Sequence, residues 1–314
     1  MPVRAFVFPG QGSQAVGMGR DLASAFTTAR EVFQEVDEAL GQNLSKLMFE
    51  GPGETLTLTE NAQPALLAVS IAVMRVLERD GNAPLAQKAK LVAGHSLGEY
   101  SALAAAGAFD LAAAARLLKL RGQAMQKAVP AGEGAMAALL GAEAALAAEI
   151  CTEAAGGEVL EIANDNGGGQ VVISGAKAAV DRAIELSRTR GVKRAMPLPV
   201  SAPFHCGLMA PAADAMAAAL AETTPRTPVV PLVANVTAEK VTDPSTIREL
   251  LVQQVTGTVR WRECVQAMAA DGVDTFVELG AGRVLTGLAR RIVPDATGLS
   301  AGTPAEIEAL LKAL

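Results

Sequence analysis

The chain predicts an α/β fold, a mostly parallel sheet carrying a smaller inserted unit, and three observations lead there. Short apolar runs alternate with helix-patterned stretches along most of the 314 residues, the mark of a parallel sheet covered on both faces. Between 134 and 200 the rhythm changes to β-α-β-β-α-β, the order of a ferredoxin-like split unit. A serine sits in Gly94-His95-Ser96-Leu97-Gly98, with a strand pattern before it and a helix pattern after it, and that context reads as a nucleophile elbow. The expected division is a large subdomain from 1–130 and 200–314, bearing Ser96, with 131–199 inserted as a ferredoxin-like small subdomain.

The first strand is expected at residues 3–8, an apolar run ending in Pro9-Gly10-Gln11-Gly12-Ser13-Gln14, a glycine-rich loop expected beside Ser96. Helical patterning follows through Leu40 and again over 60–79, with Thr59 as N-cap. Residues 90–93 read as the strand entering the elbow and 97–106 as the helix leaving it. Asp110 reads as the N-cap of a helix over 111–128 that carries Arg121. Within the insertion, strands are expected at 135–140, 159–163, 170–174 and 192–198. Helices are expected at 143–154 and 176–190, and Gly167-Gly168-Gly169 falls where the central hairpin turns. The rest reads as helices over 208–223, 244–255, 261–271 and 304–314, with strands at 229–236 and 273–279.

Half of the residues are apolar and only 3% aromatic, so the core is aliphatic and rich in alanine. The net charge of −6 argues against nucleic acid as a partner, since a phosphate backbone is held by a basic face. Cys151, Cys206 and Cys264 have no paired spacing, which is not a disulfide framework and suggests a reducing cytoplasm. With two histidines and no C-x-x-C or H-E-x-x-H, no protein-bound metal site is expected. No signal-peptide pattern opens the chain. The longest apolar stretch, 64–73, is too short to span a bilayer, so no membrane association is expected.

A serine hydroxyl attacks an ester or thioester once a base removes its proton, and an imidazole is the usual base. Two candidates exist. His95 adjoins Ser96, but neighbouring side chains at an elbow point apart, so it reads better as support beneath the turn. His205 lies in Ser201-Ala202-Pro203-Phe204-His205-Cys206, a loop after a strand, where α/β folds keep catalytic groups. The backbone N–H of Leu97, at a helix start, and that of Gln11, between two glycines, are candidate oxyanion donors. Arg121 follows an apolar helical run. A guanidinium there needs an anion, which is either an Asp or Glu elsewhere in the fold or the free carboxylate of a dicarboxylic acyl group.

Taken together, these segments resemble the malonyl-CoA:acyl carrier protein transacylase family of fatty acid synthesis. The resemblance spans essentially the whole chain. It rests on Phe8-Pro9-Gly10-Gln11-Gly12-Ser13-Gln14, Asn61-Ala62-Gln63-Pro64-Ala65-Leu66, Gly94 to Tyr100, Leu120-Arg121-Gly122, Val171 to Gly175, Ser201 to Cys206 and Glu278-Leu279-Gly280. It implies a hydrolase-like core for the large subdomain. It also implies Ser96 as nucleophile, His205 as base, Gln11 and Leu97 as oxyanion donors and Arg121 as the malonyl carboxylate's partner. The main-chain carbonyl of Gln254 then orients the base, while Gln63, Asn164 and Phe204 match pocket positions. Malonyl-CoA and acyl carrier protein are the implied partners, with no metal or tightly bound cofactor. Gly257-Thr258 stands where relatives often have Asn-Pro, which bears on the geometry around Gln254. Phe204 stands where many relatives have serine, and its bulk favours malonyl over methylmalonyl. Arg188, Arg190, Lys193 and Arg194 offer a basic landing site for an acidic carrier protein. Two rivals remain open: an esterase or thioesterase with Asp165 or Asp181 as a third triad member, and a carrier-protein-binding relative without turnover.

Overall fold

The computed structural model describes residues 2–314. Its strands are β1 Arg4–Phe8, β2 Leu91–Gly94, β3 Gly134–Leu140, β4 Leu160–Asp165, β5 Gln170–Ala176, β6 Arg194–Pro197, β7 Leu232–Val233, β8 Lys240–Val241, β9 Thr275–Leu279 and β10 Thr297–Ala301. They form two sheets among the described residues. The larger has the order β10-β9-β1-β2-β7-β8 and is parallel throughout except for β7–β8.

Side chains alternate across a strand, and here both faces are buried. Phe6 and Phe8 point into one apolar core with Val92, Leu232, Val277 and Leu279. Ala5 and Val7 point into another with Leu91, Ala93, Val233 and Phe276. The first core is filled by the helix Thr59–Arg75, buried almost all round, which lies against the helix Leu111–Lys127. A helix apolar on every side has to be central, because no face of it is suited to water.

The second sheet is antiparallel with the order β4-β5-β3-β6. Ala137, Leu139 and Ile173 face the helices Ala144–Ala154 and Lys177–Ser187. Met136, Ala138 and Val172 point the other way, into the first core of the larger sheet's body. The inserted unit is therefore cemented to the rest by its second face. A backbone ladder adds to this: Val259 donates to Ala163 O at 2.8 Å and accepts from Asp165 N at 3.0 Å.

The segment expected as a strand over 229–236 contributes only Leu232–Val233, because Pro231 interrupts it and Val229 faces solvent. Thr59 is the first helical residue rather than the cap. Leu58 takes the cap position without a side-chain bond, and the helix continues as a π-helical turn over Val76–Asp80. Asp110 does stand at the N-cap of its helix, but its carboxylate holds Arg226 at 2.6 Å instead of a backbone N–H. The helix Val284–Ile292 and β10 were not expected from the sequence. The former is anchored by buried Glu278, whose carboxylate accepts from Leu285 N at 3.1 Å and Thr286 N at 2.8 Å, at the end of the helix that favours an anion. That accounts structurally for the Glu278-Leu279-Gly280 motif. All three cysteines are free and buried.

Candidate active site

The turn after β2 fixes Ser96. A Cβ on Gly94 would lie 1.9 Å from the carbonyl carbon of Gly98, and one on Gly98 would lie 2.2 Å from Phe8 O. The helix Gly98–Ala105 can cross the strand this closely only without side chains there. Ser96 itself adopts φ 53°, a left-handed conformation costly for a residue with a Cβ. Buried Asn235 holds the turn, accepting from Ser96 N at 2.8 Å and donating to Gly94 O at 2.8 Å.

His205 meets it from the loop between β6 and the helix Ala210–Glu222. Its Nε2 lies 2.7 Å from Ser96 Oγ and its Nδ1 lies 2.8 Å from the main-chain oxygen of Gln254. Gln254 sits in the last turn of the helix Pro244–Thr256, where carbonyls lack intrahelical partners and carry the negative end of the helix dipole. A carbonyl can only accept, so Nδ1 carries the proton and Nε2 is left to take one from the serine. Gly257 N closes onto Gln253 O at 2.8 Å, which leaves Gln254 O for the histidine despite the unusual Gly257-Thr258. Burial, with the charge of Arg121 second, pushes His205 down to about 3. Of the acids considered as a third triad member, Asp165 binds Arg262 at 2.8 Å and Asp181 binds Lys177 at 2.6 Å. His95 turns to Asn166, 2.8 Å from Nε2, and to the Trp261 ring, supporting the elbow.

Arg121 is the third element. Its Nη1 donates to Gln63 Oε1 at 2.8 Å, and its Nη2 donates to Gln254 Oε1 at 2.9 Å and Ser96 Oγ at 3.2 Å. The guanidinium is only 1% exposed, and its acceptors among the described residues are neutral. Of the two anions expected for Arg121, the Asp or Glu elsewhere in the fold is not found among the described residues. Burial lowers its proton affinity, yet an arginine stays charged. It thus stands as a desolvated cation beside the hydroxyl.

Around these groups lies a pocket of about 430 Å³. Gln11, Gln63, Leu97, Asn164 and Phe204 line it together with Ser96, Arg121 and His205, and Met125 and Met136 add apolar wall. Gln254 stands behind it. The loop after β1 comes in closely, since a Cβ on Gly10 would lie 2.8 Å from His95 O. The backbone N–H groups of Gln11 and Leu97 have no acceptor among the described residues. In the expected basic patch, Arg188 is paired with Glu185 at 2.8 Å and Arg190 with Glu153, so half of that patch is locally neutralised.

The pattern of the acyl transferase domain matches residues 5–302. The chain belongs to that family. The malonyl CoA-acyl carrier protein transacylase of Escherichia coli K12 is 48% identical over 308 residues, 98% of this chain and 98% of the relative. That of Bacillus subtilis 168 is 44% identical over 311 residues, 99% and 96% of the two chains. The acyl-carrier-protein S-malonyltransferase structure from Bartonella henselae superposes with a TM-score of 0.97 at 56% identity, covering 99% of each chain. A malonyl-transacylase solved in complex with a type II PKS acyl-carrier protein superposes with a TM-score of 0.96 at 44% identity, covering 99% of this chain and 100% of that one.

For this acyl transferase, sequence reasoning missed the residues that hold the site from behind. Asn235 staples the elbow, and its only trace is a polar residue ending the short apolar run of β7 at the carboxyl edge of the sheet. Thr59 donates to Gln11 Oε1 at 2.8 Å and accepts from Gln63 Nε2 at 2.9 Å, tying the glycine-rich loop to the residue that holds Arg121. Glu99, three residues beyond Ser96 and buried, binds the Gln254 amide at 2.6 Å. Burial pushes its carboxyl up to about 7, against the pull of its hydrogen bonds to Gln254 and Asn235 N and the charge of Arg121.

Proposed function

We propose that this protein transfers a malonyl group from coenzyme A to the phosphopantetheine thiol of acyl carrier protein, through a malonyl ester on Ser96, in fatty acid synthesis. The observation that carries the reading is one hydroxyl between an imidazole base and a buried guanidinium with no anionic partner among the described residues. His205 Nε2 takes the serine proton as Oγ attacks the thioester carbonyl. The N–H groups of Leu97 and Gln11 receive the developing oxyanion. Arg121 meets the distal carboxylate, with Gln63 and Gln254 as the neutral acceptors that hold the guanidinium until it arrives. Collapse of the intermediate breaks the C–S bond, and His205 returns the proton to the coenzyme A sulfur. In the second half, the carrier thiol gives its proton to His205 and attacks the ester, and Ser96 regains its hydrogen. The Gln254 carbonyl steadies the imidazolium formed in each half. Asn164 and Phe204 shape the acyl pocket. No step calls for a metal or a bound cofactor.

The small sheet's strand order supports a ferredoxin-like subdomain over 131–199, and the elbow on a parallel sheet supports a hydrolase-like core over 1–130 and 200–314. Unpaired, buried cysteines fit a cytoplasmic home, and among the described residues no helix is long and apolar enough to cross a membrane. Lys193 and Arg194, for which no ion pair is found among the described residues, are the better half of the docking patch for an acidic carrier. The test is incubation with malonyl-CoA followed by intact-mass and peptide mass spectrometry. One malonyl group on Ser96, discharged by the thiol of holo acyl carrier protein faster than by water, is the expected result. A protein that takes no label, or that loses it only to water, contradicts the reading.

A further inference from the structure

The geometry points to Glu99 as a positioning residue that fixes Arg121 for an anionic acyl group by orienting the side-chain amide of Gln254 between them. The inference rests on the malonyl reading of the pocket and adds a residue to it. An amide has one accepting and one donating end, and both are committed here. Gln254 Oε1 accepts from Arg121 Nη2 at 2.9 Å. Its Nε2 donates to Glu99 Oε2 at 2.6 Å and to Ser96 O at 3.0 Å. Were the amide to turn over, its NH2 would face the guanidinium, two buried donors set against each other. Glu99 makes the shorter of the two contacts that oppose the turn, beside Ser96 O, because a carboxyl oxygen buried at that point rewards the donor end and disfavours the acceptor end. The same Oε2 accepts from Asn235 N at 3.2 Å, so the element that staples the elbow also fixes Glu99.

The consequence is specific to charge. Arg121 has two neutral holders, Gln63 on Nη1 and Gln254 on Nη2. Losing the second lets the fork swing out of the plane needed for bidentate contact with a carboxylate, while the Ser96–His205 pair remains, as Gln254 reaches His205 through its main chain. Glu99 therefore acts on recognition of the acyl tail and leaves the attack itself to the pair.

The experiment measures the kinetics of Ser96 acylation with malonyl-CoA and acetyl-CoA for Glu99→Ala, Glu99→Gln and Gln254→Met, each also in an Arg121→Ala background. Glu99→Ala is expected to raise KM for malonyl-CoA about tenfold or more, with kcat and the acetyl-CoA reaction changed less than threefold, and Gln254→Met, whose side chain also holds Ser96 O, should cost malonyl-CoA at least about tenfold more than it costs acetyl-CoA. Glu99→Gln, whose Oε1 can still accept from Gln254 Nε2 and Asn235 N, should return KM to within about threefold. In the Arg121→Ala background the Glu99 and Gln254 changes should add little. Equal losses on both acyl donors, no rescue by glutamine, or an undiminished effect without Arg121 would each overturn the inference. Should Glu99→Ala not fold, Gln254→Met carries the same test from the middle of the chain of contacts. An unaltered protein that malonyl-CoA fails to acylate would instead sink the functional reading, before any variant is compared.

Discussion

Ser96 and His205 face each other at 2.7 Å from two left-handed backbone positions, φ 53° and 57°. Neither residue is a glycine, so each carries local strain that the surrounding contacts must hold. Asn235 holds the serine through its N–H, and Gln254 O holds the histidine through Nδ1. Strain at both ends of one hydrogen bond shows where this fold gives up stability for chemistry.

The pH dependence of acylation follows from the same burial. An imidazole in water protonates near pH 6.5, whereas His205 is pushed down to about 3, first by burial and then by the charge of Arg121. The neutral base therefore persists well below the usual range. Single-turnover acylation by malonyl-CoA should show no histidine inflection between pH 5 and 8, and Arg121→Ala should move the acid limb upward. A clear inflection near 6.5 in the unaltered protein would contradict the assignment of this imidazole as the base.

His205 and Glu99 make opposing pH-dependent contributions to stability at the site. Between pH 6.5 and about 3 the unfolded chain binds a proton at His205 that the native protein refuses, so this contribution is lost as pH falls through that window. Glu99, raised from 4.5 to about 7, works the other way: the native protein binds the proton and the unfolded chain does not, so its contribution is lost as pH rises from 4.5 through 7. Urea unfolding over pH 4 to 8 separates them. His205→Gln should lessen the loss of stability toward acid, and Glu99→Gln should lessen the loss toward neutrality. Parallel curves for either variant and the unaltered protein would show that its group is not buried as described.

The groups that meet at the pocket were legible because chemistry restricts them to few residue types. With two imidazoles in the chain, the choice of base was narrow, and Gly94, Gly98 and Gly10 mark close backbone approaches that the geometry bears out, whereas Gly12 has open space beside it and serves its left-handed φ of 103°. The supporting groups were not legible. Asn235, Thr59 and Glu99 act through long-range contacts, Glu99 with Gln254 across 155 positions of sequence, and no local pattern encodes such a pairing. The same holds for secondary structure. The amphipathic spacing of Leu285, Leu288 and Ala289 was present but short, and β10 is an edge strand with two glycine or serine positions and little β-branched character. Both segments owe their form to tertiary contacts, with Glu278 anchoring one and β9 pairing the other.

Arg121→Ala tests the clamp. A charge-assisted hydrogen bond contributes about 1.5–3 kcal/mol, so losing the fork should cost malonyl-CoA roughly 10- to 100-fold or more in kcat/KM. Uncharged acyl donors make no such contact, and acetyl-CoA should be used as well as before or better. Steady-state competition between the two donors reads the ratio directly. Equal loss on both would mean that the guanidinium serves the serine hydroxyl alone, through its 3.2 Å contact with Oγ.

Phe204 precedes His205, and its ring is both pocket wall and core, 8% exposed and packed within the main apolar cluster. A methyl group on the α-carbon of the acyl chain needs room next to the scissile carbonyl, and an aromatic ring held by the core does not yield it. A hydrophobic pocket discriminates one such group by about 1–3 kcal/mol, or roughly 10- to 200-fold. Phe204→Ser should therefore raise the methylmalonyl-to-malonyl ratio of kcat/KM by at least about tenfold. Truncating a buried aromatic also costs about 3–5 kcal/mol of stability, so total activity should fall at the same time. The ratio is immune to that fall, since both donors meet the same folded fraction in one competition assay. An unchanged ratio with reduced activity would mean that the ring supports the fold and that α-methyl exclusion lies with Met125, Met136 or another wall of the pocket.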